Sequence, residues 1–214
     1  MLDCRPVREP ATAITDFLLA LLSLFLLLRL LRDSHFSRLV GARLFFSGFG
    51  IAALLGGLDH GFLGGEGTTA HRVVWWLTVA STGVAACGLA LIGAERLGWR
   101  NPRMQLLVTA VFVCAFAAYA WHDSRFLVSV IITGAASVIC MAGLVRHAIT
   151  RERRGPLLAA SALVISAIAG VLQQKQFAID PPHFDHNATY HLWLFIALGL
   201  LYAGHKRVAL ADST

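Results

Sequence analysis

Apolar stretches of about twenty residues recur along the whole chain, separated by short links rich in arginine. A run of that length is what an α-helix needs to cross the ~30 Å hydrocarbon core of a bilayer, at a rise of about 1.5 Å per residue. On that ruler the sequence predicts seven spans, over residues 11–32, 41–63, 71–94, 104–121, 126–146, 156–174 and 187–205. Composition points the same way. The chain is 57% hydrophobic and 14% charged, where soluble domains carry about 25% charged residues. The expected fold class is all-α integral membrane, a single seven-transmembrane-helix bundle over residues 1–214. Short links make consecutive helices antiparallel neighbours. Pro10 after Glu9 and Pro156 after Gly155 suit the first turns of the first and sixth helices.

A formal net charge of +6 would suit a nucleic-acid partner if it covered one face. It falls instead between the apolar segments, where it reads as topology, and no nucleic-acid partner is expected. Arg32, Arg38 and Arg43 flank the first link; Arg96, Arg100 and Arg103 the third; Arg146, Arg151, Arg153 and Arg154 the fifth. Lys206 and Arg207 lie in the tail. The alternate links carry only Arg72, Arg125 and Lys175, and near the start Asp3 and Glu9 offset Arg5 and Arg8. Basic residues favour the cytoplasmic side, so the N-terminus is expected outside and the C-terminus inside, in a bacterial inner (plasma) membrane. The first apolar run exceeds a signal-peptide core and is followed by basic residues, so it reads as a retained span. Of the cysteines, Cys87, Cys114 and Cys140 lie in apolar segments, Cys4 precedes them, and none has a short paired spacing. Free thiols are expected, with neither a disulfide framework nor a thiolate metal site.

Nine histidines can be placed on this map. His35, His147 and His205 fall on the inner side. His60, His71, His122, His183, His186 and His191 fall on the outer side, and Asp16 lies about two turns into the first helix. Ionisable groups at membrane depth usually face the bundle interior and mark function. Histidine nitrogens hold zinc, and a catalytic zinc site uses three protein ligands and keeps a position for water. His60, His71 and His191 come from three helices at matching depth and are the expected metal ligands, with His186 as a further candidate. Asn187 is four residues before His191 and shares its face; His186 is turned about 140° away and needs a frayed helix start. Asp16 is a candidate base or histidine orienter, or alternatively a partner of Thr12 and Thr15. Asn187 is a candidate donor to a carbonyl or oxyanion. Asp185 reads as the N-cap of the seventh helix. His122 and His183 read as polar anchors, and Trp75, Trp76, Trp121 and Trp193 as interfacial belts and packing.

Seven helices, a histidine closing the second (His60) and a polar–histidine pair four apart opening the seventh (Asn187, His191) resemble the alkaline ceramidase / adiponectin-receptor superfamily. The resemblance covers the topology of the whole chain. It implies a zinc-dependent membrane hydrolase acting on a lipid amide or ester, with His60 and His191 as metal ligands. Glu9-Pro10 and Asp16-Phe17 resemble the acidic N-terminal region of the ceramidases. The sequence departs from the pattern at three points: Asn187 stands at a family histidine, His71 at a family aspartate and Gly56 at a family serine.

Two other classes of function fit some of the same residues. His60 or His71 with His191 could ligate a haem near the outer surface for electron transfer. A transporter or sensor could use the histidines as groups that titrate near neutral pH. No mid-helix Pro-Gly break accompanies them, so the usual sign of a transporter is missing.

Overall fold

The computed structural model describes residues 9–32, 40–63, 68–99, 101–122 and 127–211. Asp3, Cys4, Arg5, Arg8, His35, Arg38, Arg100 and Arg125 lie outside the described residues, as do the side chains of Trp121 and His122. Among the described residues seven α-helices follow one another: α1 (Pro10–Arg32), α2 (Val40–Leu58), α3 (Thr69–Arg96), α4 (Pro102–His122), α5 (Leu127–Thr150), α6 (Arg154–Gln174) and α7 (His186–Ala211). A π-helical turn, Asp59–Leu63, extends α2. Among the described residues, five helices (α1, α2 with its π turn, α3, α5 and α6) are long and apolar enough to cross a membrane. The first turns of α7 hold His186, Asn187, Thr189 and His191, which dilute its apolar character. Among the described residues there is no strand, only an isolated bridge between Asp180 and Phe184.

Local chemistry sets the helix ends. Proline opens α1, and the Ala13 amide donates to the Glu9 carbonyl at 2.9 Å. Thr68 caps α3 by accepting from the His71 amide at 3.1 Å. The Glu152 carboxylate accepts the amides of Arg154 and Gly155 at 2.6 and 2.8 Å. Asp185 caps α7, accepting from the Ala188 amide at 2.8 Å. In each case a side-chain oxygen or proline's missing amide answers the unpaired donors of a first turn.

The helices close a ring in the order α1, α2, α3, α5, α6, α7 and back to α1, with α4 outside against α3 and α5. The α2–α3 seam is very close: a Cβ on Gly88 would stand 2.6 Å from the Gly41 carbonyl oxygen. The α3–α5 seam matches it, since a Cβ on Gly143 would lie 2.9 Å from the Gly93 Cα. Small residues allow membrane helices this approach. Leu19, Leu30, Phe46, Leu89 and Leu144 fill the core, while Leu21, Phe25, Ile51, Leu77, Val138 and Ile168 stand exposed around the outside. Soluble monomers rarely present contiguous apolar patches larger than a few hundred Å²; a bilayer solvates such a surface. The protein is a helical bundle built for membrane association.

Candidate functional site

Polar side chains from the start of α1, the π turn, the start of α3 and the start of α7 gather at one end of the bundle. α1 presents Thr12, Thr15 and Asp16, all buried. α7 answers them with Asp185 at its cap and His191 inside. Thr12 Oγ1 lies 2.8 Å from each oxygen of Asp185. Thr15 Oγ1 lies 2.9 Å from His191 Nδ1, and Asp16 Oδ1 lies 3.4 Å from His191 Nε2. The spacing Thr-x-x-Thr-Asp on α1 thus meets Asp-x5-His on α7. Asp16 pairs with a histidine, and the two threonines serve the other helix.

The π turn supplies the third side. Adjacent residues Asp59 and His60 reach different neighbours. His60 Nδ1 is 2.7 Å from Glu9 Oε2, just before α1, and Asp59 Oδ1 is 2.8 Å from His71 Nδ1, on α3. A π turn widens the helix by one residue per turn and is found often at functional sites. Asp59 is buried, and the His71 ring stacks on Trp75 with centroids 6.2 Å apart. His60, through Glu9, and His191, through Thr15 and Asp16, both border the start of α1.

Two carboxylate oxygens in this layer accept no hydrogen bond: Glu9 Oε2, although it lies 2.7 Å from His60 Nδ1, and Asp16 Oδ2. The Asp16 oxygen is buried. It rests against Gly56, where a Cβ would approach to 3.1 Å; glycine there leaves the room in which the carboxylate sits. A buried carboxylate oxygen without a donor costs several kcal/mol in order of magnitude, so this oxygen calls for a water, a proton or a cation.

The predicted site residues therefore divide. Asp16 and His191 come together, whereas His60 is engaged with Glu9. His71 is engaged with Asp59. His186 is the first, half-buried residue of α7. Asn187 turns its Oδ1 toward α6, where it accepts from Gln173 Nε2 at 3.1 Å. His183, an expected anchor, is exposed and lies 3.1 Å from Asp180. Among the described residues, no three histidine, cysteine, aspartate or glutamate side chains stand together at metal-holding distance. Two donors do fit a metal: tetrahedral zinc, with bonds of about 2.0–2.2 Å, sets neighbouring ligands about 3.4 Å apart, the separation between Asp16 Oδ1 and His191 Nε2. Sequence reasoning overlooked Asp59 and the pairing of Glu9 with His60. The signal for Asp59 was present, a carboxylate beside His60 in an apolar segment; that for Glu9 was not, because its partner is about fifty residues away.

The sequence profile of a family described as a family of unknown function (DUF6962) matches residues 11–210, and the chain belongs to that family. No curated protein and no solved structure matches it.

Proposed function

We propose that this DUF6962 member crosses the membrane seven times, N-terminus outside, and hydrolyses a lipid amide or ester at the histidine–carboxylate layer with the help of a zinc ion. The observation that carries the reading is the Asp16–His191 pair: two donors at 3.4 Å, with a second aspartate oxygen buried and unpartnered. The proposed orientation is supported by the arginine-rich alternate links, which favour the outer side for the layer. The resemblance to the ceramidase / adiponectin-receptor superfamily points to the same chemistry and the same lipid class of substrate.

In this reading Asp16 and His191 would hold the ion, and His60, which stands outside metal-holding distance of them in this structure, would join them through Nε2 on binding. Zinc supplies a Lewis acid that polarises a carbonyl and activates water. The chain's own residues do the rest. Glu9 fixes the His60 ring through Nδ1, as carboxylates behind metal-binding histidines commonly do. Asp16, with its second oxygen uncommitted, is placed to take the proton that an attacking water loses. Gln173 holds the Asn187 carbonyl oxygen, which leaves the Asn187 amide hydrogens to donate to the substrate oxygen as negative charge builds there. His71, paired with Asp59, lines the approach from the outer surface.

Elemental analysis of the detergent-purified protein, read beside its visible spectrum, tests this. About one zinc per chain is expected in the wild type, with loss of the metal and of lipid amide or ester hydrolysis in His191→Ala and in Asp16→Asn. The exposed variant His183→Ala should keep both. A metal-free wild type, or full zinc in both site variants, overturns the reading; a Soret band would support the haem alternative instead.

A further inference from the structure

The hydrogen bonds of Thr15 bear on which nitrogen of His191 carries its proton. Thr15 Oγ1 lies 2.9 Å from the Ala11 carbonyl oxygen and 3.0 Å from that of Thr12. Both can only accept, and a hydroxyl has a single proton to give. With that proton turned to the helix backbone, a lone pair of Oγ1 faces His191 Nδ1 at 2.9 Å, and the Nδ1 proton fills it.

The other side of the ring agrees. Were the proton on Nε2, it would point at a buried carboxylate, and such charge-assisted bonds close to about 2.7–2.9 Å. The observed separation is 3.4 Å, with no hydrogen bond to Asp16 Oδ2 either. With the proton on Nδ1, the Nε2 lone pair faces Asp16 Oδ1 across 3.4 Å.

From this we propose that Thr15 is a positioning residue: its hydroxyl holds His191 in the Nδ1-protonated tautomer and so keeps the Nε2 lone pair aimed at Asp16, as a donor for a cation. This deepens the zinc reading above and rests on it only for the identity of the cation. The hydroxyl does on the α1 side of His191 what Glu9 does behind His60. It uses a residue that the ordinary role of a back-bonded helix threonine would leave unremarked.

The test uses full-length protein in detergent with 15N-labelled histidine rings. In the metal-free wild type, the His191 signals should show a protonated Nδ1 and a bare Nε2. Thr15→Val, which keeps the shape and removes the oxygen, should mix or reverse the tautomers and weaken zinc binding by about 10–100-fold. Thr15→Ser should restore both, to within about threefold of wild type in affinity, because it returns the lone pair. A wild-type ring protonated on Nε2 or on both nitrogens overturns the proposal, and needs no variant to fold. So does a Thr15→Val protein that melts like wild type and keeps the wild-type tautomer. A wild type that binds no zinc but shows the stated tautomer rejects the hydrolase and upholds the role of Thr15.

Discussion

Asp185 and Thr12 meet across the α1–α7 seam, with both carboxylate oxygens 2.8 Å from one hydroxyl. The same carboxylate caps α7 through the Ala188 amide, so one side chain starts a helix and pins it to another. One turn further along α1, Thr15 takes hold of His191. The cap and the candidate site are therefore built on a single face of α1, and the register of α7 against α1 decides both.

Replacing Asp185 by alanine removes the helix cap and the Thr12 bond together. A cap is worth about 1 kcal/mol, and a hydrogen bond to a charged group about 1.5–3 kcal/mol. Asp185→Ala should destabilise the protein by about 2–4 kcal/mol in denaturant unfolding in detergent. Asp185→Asn retains a capping oxygen and should recover roughly half of that loss. If Asp185→Ala unfolded like wild type, the seam would be held by apolar packing alone.

The glycines offer a paired comparison between a closed and an open position. A side chain on Gly88 would run into the backbone of Gly41 and Phe45, whereas nothing lies within 4 Å of a Cβ on Gly170. Gly88→Val should separate α2 from α3 and cost more than about 3 kcal/mol, because backbone cannot move aside as a side chain does. Gly170→Ala should be neutral or stabilising by up to about 1 kcal/mol, through helix propensity. Thermal unfolding of the two variants side by side checks the seam, and equal melting would contradict it.

The proposed seventh crossing and its direction can be tested on one helix. His183 precedes α7 and is exposed; Arg207 lies near its end and is also exposed. The residues between His186 and Arg207 span about 30 Å of helix, the thickness of a bilayer core. In a background without the native cysteines, His183→Cys should react with a membrane-impermeant maleimide in intact cells. Arg207→Cys should react only after the membrane is opened. Labelling of both from the same side would remove the crossing.

Much of the bundle could be read directly from residue order. Pro10, Pro156, Asp185 and the arginine-rich links bound helices that fall close to the expected stretches, because hydropathy and capping act within one or two turns. Part of the site was equally visible: Asp16, His60 and His191 stand out as ionisable groups in apolar surroundings. Their partners did not. Glu9 reads as a helix-start residue until the π turn brings His60 to it, and Asn187, expected to face the site, has its oxygen held by Gln173. His71 matches His60 and His191 in depth, yet its bond is to Asp59.

The sequence by itself determined that this chain makes apolar helices of membrane length and that a few polar groups share one level near their ends. Period, length and charge bias are local properties, and each is set by residues close in the chain. Only the tertiary structure decided which of those groups touch: Thr15 with His191, Asp16 facing the same ring, Thr12 with Asp185. Such pairings depend on the rotation and register of one helix against another. Close packing at glycines such as Gly41 and Gly88 sets those relations across the whole ring, so no stretch of sequence specifies them alone.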